Sequence, residues 1–359
     1  MTVSAPPSIA RRLAGGTGWL ILGRLLSSVC TLLILGQLAH HLPLAEFGRI
    51  TFYLAVMMVV ASLSDLGTGQ VVIQQSAGRP EDLAGLLHTG RRVRLAMAFA
   101  SWVLWTVWVG ASGEPDAVWL IVAGLYPLTF ALELSTIPAR NAIRLHSPVL
   151  IRSAVSVVNL ISVSVLIQVG VPEVGPIFLA MAVGFALGNG AMHWIHRSSL
   201  PAAVSRGVAL KPFLIATVPL GIGALCQQLY FWIDNVFIRV GLGEEALGLY
   251  NLPVRLFSFA ILVAVLAPGA ALPWLSREHG EGRLQGALAR LAPPLLILGA
   301  LLAGGLGRAS HWALSLFGEE FVEARSALLY LLAALVFVHA GALLSTALIA
   351  TGRTRDLMN

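Results

Sequence analysis

The most restrictive feature of this sequence is a series of ten apolar runs, each about long enough to cross a bilayer as a helix. The runs cover residues 17–39, 50–75, 95–112, 117–138, 149–169, 174–195, 213–239, 252–273, 291–308 and 327–350. A spanning helix needs about 20 mainly apolar residues, whereas a spanning β-strand needs about ten. The alternation that a β-barrel requires is also missing. The sequence therefore predicts an all-α polytopic membrane protein of about ten transmembrane helices.

Composition points to the same class. Hydrophobic residues make up 57% of the chain and charged residues 11%, with a mean hydropathy of +0.83. A soluble domain carries about 25% charged residues, so much of this surface is expected to contact lipid. The formal charge is +6, but the basic residues lie in short clusters between apolar runs. This arrangement is typical of membrane orientation and argues against nucleic acid as a partner.

The basic clusters alternate between loops and predict the orientation of the chain. Most of the 23 lysine and arginine residues precede the first run or follow the even-numbered runs: Arg11, Arg12, Arg79, Arg91, Arg92, Arg94, Arg140, Arg144, Arg152, Arg197, Arg206, Lys211, Arg277, Arg283, Arg290, Arg353 and Arg355. The intervening loops are richer in acids, such as Glu114, Asp116 and Glu244. The positive-inside rule therefore predicts that the N-terminus and the even-numbered loops are cytoplasmic.

Two short patterns recur across the chain and predict two lobes. Residues 45–50, after run one, resemble residues 245–250 after run seven, and Leu-Ser-Thr at 134–136 recurs at 344–346. An even number of intervening spans gives both copies the same orientation. We predict an N-terminal six-helix lobe at 1–196, a cytoplasmic linker at 197–212 and a C-terminal lobe at 213–359. The second lobe then lacks its last two helices, unless the protein is a natural ten-helix form or the matches arise by chance.

Ionisable residues inside the runs are candidate functional groups because a charge in a membrane helix is costly. Arg24 shares one helix face with Ser27, Ser28 and Thr31, since they follow it at helical spacing. This polar stripe predicts a substrate-binding cavity lining. Two alternatives remain: Arg24 can extend to the cytoplasmic interface, and the hydroxyl groups can serve helix packing.

A second polar stripe lies on the seventh run, where Gln227, Tyr230 and Asp234 share one face. Arg255 lies near the start of the eighth run. Gln227, Tyr230 and Arg255 are further cavity candidates, and Asp234 is a candidate for ion coupling or gating. An Asp234–Arg255 ion pair would lower the cost of both charges. Such a pair could open during gating or simply hold two helices in register.

Asp65 and Glu133 are two more candidates for ion coupling or gating. Asp65 is followed by Gly67 and Gly69, which could kink or unwind the helix inside the membrane. Asp65 could then bind a cation or proton, or could act only as a partner at the kink. Glu133 is close to the predicted cytoplasmic end, which favours an interfacial role.

Several motifs together resemble a known family. They are Leu-Ala-Glu-Phe-Gly at 44–48, Ser-Asp-Leu-Gly at 64–67, Ile-Pro-Ala-Arg at 137–140, Asp-Asn-Val-Phe-Ile at 234–238, Leu-Gly-Leu-Tyr at 247–250, Arg-Leu at 255–256 and Ala-Thr-Gly-Arg at 350–353. The chain resembles the polysaccharide biosynthesis flippases, which are the O-antigen and repeat-unit exporters of the multidrug/oligosaccharidyl-lipid/polysaccharide (MOP) superfamily. The similarity covers nearly the whole chain, but family members usually have twelve or fourteen helices.

The resemblance implies two lobes around a central, often cationic cavity in the bacterial inner membrane. It implies that the protein flips an undecaprenyl-pyrophosphate-linked glycan by alternating access. Arg24 and Arg255 would then hold the pyrophosphate, since arginine matches phosphate oxygens. A polysaccharide polymerase and a chain-length regulator are implied partners, and proton or sodium coupling is implied without an organic cofactor. Cys30 and Cys226 lack metal-ligand spacing, so no metal is expected.

Other functions remain open on the sequence alone. A lipid II flippase or a cation-coupled drug antiporter of the same superfamily is the nearest alternative, and an antiporter would use Asp65 and Asp234 for ion exchange. A membrane-embedded polysaccharide polymerase or ligase is the alternative from another class. Such an enzyme usually needs an extended outer loop or an acidic metal-handling cluster. The outer loops are short except for roughly 309–326, whose Glu319, Glu320 and Glu323 lack an accompanying histidine pair. The sequence therefore predicts that the protein is not an enzyme.

Overall fold

The computed structural model describes residues 9–142, 146–201 and 208–351, without the side chains of residues 9–17, 77, 78, 80, 265–267, 269, 270, 272 and 273. Several side chains that support the predicted orientation lie outside this description: Arg11, Arg12, Arg144, Arg206, Arg353 and Arg355. All regular structure in the described residues is helical.

The α-helices follow one another with short 3₁₀ turns between some of them. In chain order they are α1 (Ile9–His41), α2 (Leu44–Asp65), α3 (Thr68–Gly78), α4 (Leu83–Ser112), α5 (Ala117–Ala123), α6 (Phe130–Glu133), α7 (Ile137–Asn141), α8 (His146–Gln168), α9 (Val174–His196), α10 (Leu210–Leu242), α11 (Glu244–Gly280), α12 (Leu284–Arg308), α13 (Ser310–Ser315), α14 (Arg325–Ala333) and α15 (Leu335–Ala350).

Ten helical segments of the described chain are long and apolar enough to cross a membrane, as predicted. They are Gly18–His41, Leu44–Ser76, Leu83–Ser112, Ala117–Asn141, His146–Gln168, Val174–Ser199, Leu210–Leu242, Glu244–Ala264, Leu284–Arg308 and Glu319–Ala350. The predicted all-α polytopic class is therefore confirmed. The largest difference is at the third span, which begins at Leu83 rather than at residue 95.

The second span is interrupted where its glycines predicted a kink. Helix α2 ends at Asp65, and α3 begins at Thr68. Between them, Leu66 (φ 46°) and Gly67 (φ 69°) both adopt left-handed backbone conformations. A Cβ at Gly67 would lie 2.8 Å from Leu220 Cβ of α10. Both the backbone conformation and this close helix approach therefore require glycine.

Close packing joins the other helices of the N-terminal part. Helix α1 packs on α8, α8 packs on α9, and α10 packs on α2 and α3. Gly184 and Gly188 of α9 face Asn159 and Val155 of α8 so closely that a Cβ would clash at either glycine. This pair forms the small-residue contact that its GxxxG spacing predicts.

The chain divides into two compact units, Met1–Leu247 and Gly248–Asn359. The division falls near the start of α11 (Glu244–Gly280), and α10 packs on α2 and α3 of the first unit. In the second unit, α12 packs on α14 and α15. The assignment of residues 1–196 and 213–359 to two repeated lobes stays a prediction.

Candidate functional site

A buried arginine on α4 connects the interrupted second span to its neighbours. Arg94 is 5% exposed. Its Nε donates to Thr68 Oγ1 at 2.6 Å, and its Nη1 donates to the Phe130 carbonyl oxygen at 2.8 Å. Its Nη2 forms an ion pair with the Asp65 carboxylate. Arg94 therefore links α4 to both sides of the break between α2 and α3.

Glu133 extends this cluster towards the predicted cytoplasmic end. Its Oε2 lies 3.9 Å from Arg94 Nη1, and its Oε1 accepts hydrogen bonds from Arg152 at 2.9 Å and Arg140 at 3.5 Å. Arg94 therefore lies between Asp65 and Glu133, two of the three coupling candidates of the first unit. We call Asp65, Thr68, Arg94, Glu133, Arg140 and Arg152 the Arg94 network.

Sequence reasoning missed the central residue of this network because it assigned Arg94 to a cytoplasmic loop. Helix α4 begins at Leu83, so Arg94 lies within the helix and not before it. The signal was present in the apolar residues Leu86, Leu87 and Val93, which precede Arg94 and are buried. A hydropathy window centred on the arginines hides this helix, because their charges lower its mean.

A second charged cluster occupies the opposite, predicted outer end of the first unit. Arg49 of α2 is buried and donates from Nη1 to Glu46 at 2.8 Å. Its Nη2 donates to Asp116 at 2.8 Å and to Glu114 at 3.4 Å. The Tyr53 hydroxyl donates to the same Glu114 carboxylate. The loop between α4 and α5 is thereby fixed to α2.

Arg239 joins α10 to this second cluster. Its Nη2 donates to Glu114 Oε1 and to Glu244 Oε1, each at 2.6 Å. Its guanidinium carbon also lies 4.4 Å from the centre of the Phe52 ring, which is a cation–π contact. We call Glu46, Arg49, Tyr53, Glu114, Asp116, Arg239 and Glu244 the Glu114 network. The sequence placed these charges in outer loops but did not predict their contacts.

The environment of Glu114 favours its ionised form. Burial by itself raises the pKa of this carboxyl group, but the hydrogen bonds from Tyr53 and Arg239 oppose it. The positive charges of Arg239 and Arg49 add to the same opposing effect, so the pKa of Glu114 lies below its usual value. Glu114 is therefore a fixed negative charge between two arginines at neutral pH.

The polar stripe on α1 is partly used in helix packing. Ser27 Oγ accepts a hydrogen bond from Ser156 of α8 at 3.0 Å. Thr31 Oγ1 donates to the Ser27 carbonyl oxygen at 2.9 Å. Ser28 is half-buried and Arg24 is exposed. The contact of Ser27 fits the packing alternative, while the cavity role of the other three residues stays a prediction.

The candidates on α10 and α11 fall in different units. Gln227 and Tyr230 are exposed on α10. The Asp234 carboxylate accepts from the backbone N–H and from Nδ2 of Asn235, each at 2.9 Å. Asp234 lies in the first unit, and Arg255 in the second. Their ion pair and their roles in gating and substrate binding stay predictions.

The fold defines the class of protein. An inward-facing multidrug resistance MATE family transporter of the MOP superfamily matches with a TM-score of 0.71 and 14% identity over 91% of this chain and 82% of its own. A MATE transporter of Vibrio cholerae gives 0.65 and 16% over 96% and 84%. A MOP superfamily transporter from Pyrococcus furiosus, described as having a binding pocket of reversed polarity, gives 0.65 and 14% over 96% and 83%. The chain therefore has the MATE-like fold of the MOP superfamily.

The family follows from the sequence match. The family model described as "Polysaccharide biosynthesis protein" matches residues 13–279, so the chain belongs to this family. No curated protein sequence matches it. Family and fold together support a multi-pass membrane exporter of the MOP superfamily and are consistent with a protein that is not an enzyme.

Proposed function

We propose that this protein flips undecaprenyl-pyrophosphate-linked oligosaccharide repeat units from the cytoplasmic to the outer leaflet for surface polysaccharide synthesis. The observation that carries this proposal is the polysaccharide biosynthesis family match over residues 13–279 on an exporter fold. The glycan can be that of O-antigen, capsule or exopolysaccharide. We place the protein in the bacterial inner membrane with its N-terminus in the cytoplasm.

The charges of the first unit support an anionic substrate. Arg24 is exposed and has no ion-pair or hydrogen-bond partner within the described part of the chain. Its guanidinium is therefore free to pair with phosphate oxygens. Arg255 is the second proposed phosphate ligand. Ser27, Ser28, Thr31, Gln227 and Tyr230 remain the proposed polar lining for the headgroup.

Alternating access requires contacts that hold one end of the protein closed and then break. The Glu114 network is suited to this role because it joins α10 to α2 at the predicted outer end. All its members except Tyr53 are charged side chains, which water can solvate once they separate. We propose that it opens when the glycan leaves, driven by proton or sodium coupling at Asp65, Asp234 or Glu133. A polymerase and a chain-length regulator would act on the released glycan.

Cation-coupled drug export is the second candidate function. The likeness to multidrug resistance MATE transporters favours it. Both functions would use the same membrane carboxylates for coupling, so the ion pair between Asp65 and Arg94 does not separate them. A lipid II flippase shares the anionic substrate class with the main proposal and differs only in its glycan.

A reconstitution assay separates these functions. The full chain is reconstituted in liposomes that contain a fluorescent undecaprenyl-pyrophosphate oligosaccharide, and an external glycosidase then digests the accessible glycan. Flipping predicts that the protected half of the glycan becomes digestible with time, whereas protein-free liposomes keep it protected. Ethidium efflux driven by an imposed pH or sodium gradient, without glycan flipping, would instead establish the antiporter.

Complementation tests the same proposal in cells. A strain that lacks its repeat-unit flippase should regain surface glycan when the full chain is expressed. Arg24→Ala should lower the recovery about tenfold or more, since a hydrogen bond to a charged group contributes about 1.5–3 kcal/mol. Arg24→Lys should retain part of it. If well-expressed protein restores no glycan in strains with several repeat-unit types, the proposal is wrong.

A further inference from the structure

A groove at the predicted cytoplasmic end of the first unit belongs to neither charged network. It lies between α4 and residues 208–214, which include the start of α10, and its volume is about 640 Å³. We call it the α4–α10 groove and define it by six of its lining residues: His88, Thr89, Arg92, Met97, Val208 and Leu214. Volumes of about 300–1,000 Å³ suit one ligand of moderate size.

One rim of the groove is basic. His88 and Arg92 are one helical turn apart on α4, and both are exposed. Neither side chain has an ion-pair or hydrogen-bond partner among the residues that the structure describes. In contrast, Arg94, two residues further along the same helix, is buried, and its guanidinium pairs with Thr68 and Asp65. The rim therefore presents donors that the protein itself does not use.

The rest of the groove is apolar. Val93 and Met97 continue along α4 below the basic rim, and Leu214 faces them from α10. The Thr89 hydroxyl donates to the Val208 carbonyl oxygen at 3.1 Å, and this bond fixes the chain entering α10 beside the basic rim. The groove thus combines a cationic edge with an apolar wall in the direction of the membrane interior.

We propose that the α4–α10 groove binds one anionic phospholipid of the adjacent leaflet. Its phosphate pairs with Arg92 and His88, and an acyl chain lies along Val93, Met97 and Leu214. Charge complementarity identifies this occupant, because basic pockets between membrane helices on the cytoplasmic side bind anionic lipid headgroups.

The size of the groove distinguishes this lipid from a transport substrate. A volume of about 640 Å³ accommodates a phosphoglycerol headgroup and the upper part of an acyl chain. A pyrophosphate with several sugars would need a larger and more polar site. The inference is independent of the proposed function, because it concerns a bound lipid and not the transported molecule.

Native mass spectrometry of the purified full chain tests the proposal. The protein is titrated in detergent with phosphatidylglycerol or with phosphatidylcholine of the same acyl composition. We expect one phosphatidylglycerol to remain bound preferentially. Arg92→Ala should weaken this binding about tenfold, the loss expected for one charge-assisted hydrogen bond. Arg92→Lys should weaken it less, and the matched variant Arg79→Ala, which removes an exposed arginine elsewhere, should leave it unchanged.

A larger side chain on the apolar side of the groove tests the acyl-chain contact separately from the charge. Leu214→Trp should reduce lipid retention without any change in charge, and size-exclusion chromatography verifies that each variant remains folded. Equal binding of phosphatidylcholine would overturn the proposal, as would unchanged phosphatidylglycerol binding in folded Arg92→Ala. Displacement of the bound lipid by one equivalent of an oligoprenyl diphosphate would also overturn it, because the groove would then be a substrate site.

Discussion

The two charged networks of the first unit have central groups of opposite charge. In the Arg94 network, one buried cation lies between two carboxylates, Asp65 and Glu133. In the Glu114 network, one buried carboxylate lies between two arginines, Arg49 and Arg239. The first connects helices of the first six spans, whereas the second also includes α10. From this difference we propose that the Arg94 network is a structural brace at a broken helix and that the Glu114 network is the contact that separates during transport.

The central cation of the brace should be the most costly residue to remove. Arg94→Met leaves Asp65 and Glu133 without their shared partner, and breaking a buried pair in this way costs about 3–5 kcal/mol. We expect this loss in the free energy of unfolding, measured by titration with SDS in mixed micelles. The double variant Arg94→Met with Asp65→Asn should recover part of it, because one uncompensated charge is gone.

Exposed partners of the same network provide the control. Arg152 and Arg140 both contact Glu133, but their side chains are 47% and 40% exposed. Pairs of this kind contribute only about 0–1 kcal/mol. If Arg152→Ala destabilises the protein as much as Arg94→Met, the distinction between a buried centre and an exposed periphery is incorrect.

The Glu114 network should lose less stability when its centre is neutralised, and the loss should be local. Glu114→Gln keeps the side-chain shape but weakens charge-assisted hydrogen bonds, each of which contributes about 1.5–3 kcal/mol. Hydrogen exchange should accelerate at the predicted outer end of α10, around residues 236–242, and not in α8. Asp116→Asn is the matched variant, since Asp116 contacts Arg49 and not Arg239. It should leave the exchange of α10 unchanged, and an equal effect of both variants would contradict a specific link to α10.

The sequence predicted the helices well because each span carries its own hydropathy signal. It also predicted the break after Asp65, since Gly67 and Gly69 are local signals. The partners of the charges could not be predicted in the same way. Arg94 meets Asp65 and Phe130, and Arg239 meets Glu114, only through helix packing between distant segments. The hydropathy pattern of one helix does not indicate which other helices pack against it.

Alanine substitutions at two glycines, one in each network region, distinguish the cost of backbone strain from the cost of a helix–helix clash. Gly67 has φ 69° at the brace, and Gly113 has φ 68° beside Glu114. A Cβ at Gly67 would approach Leu220, whereas a Cβ at Gly113 would meet nothing within 4 Å. Gly113→Ala should therefore cost only the conformational term of about 1–2 kcal/mol. Gly67→Ala should cost more, in the same SDS titration, and equal losses would show that α10 can move away from the break.

The smallest effect that separates the networks is expected in the pH dependence of stability. Glu114 lies outside the spans, and its contacts hold its pKa below the usual value. A carboxylate with a lowered folded pKa contributes its full stabilisation above the unfolded pKa of about 4.3. This contribution is lost as the pH falls from that value through the folded pKa. The difference in Tm between the native protein and Glu114→Gln should therefore be constant from about pH 8 to 5 and shrink below about pH 4.3.

Other carboxyl groups are shared by both proteins and cancel in this difference. A difference that already shrinks above about pH 6, or that persists to the lowest pH at which the protein remains soluble, would contradict the ionised Glu114 that defines this network.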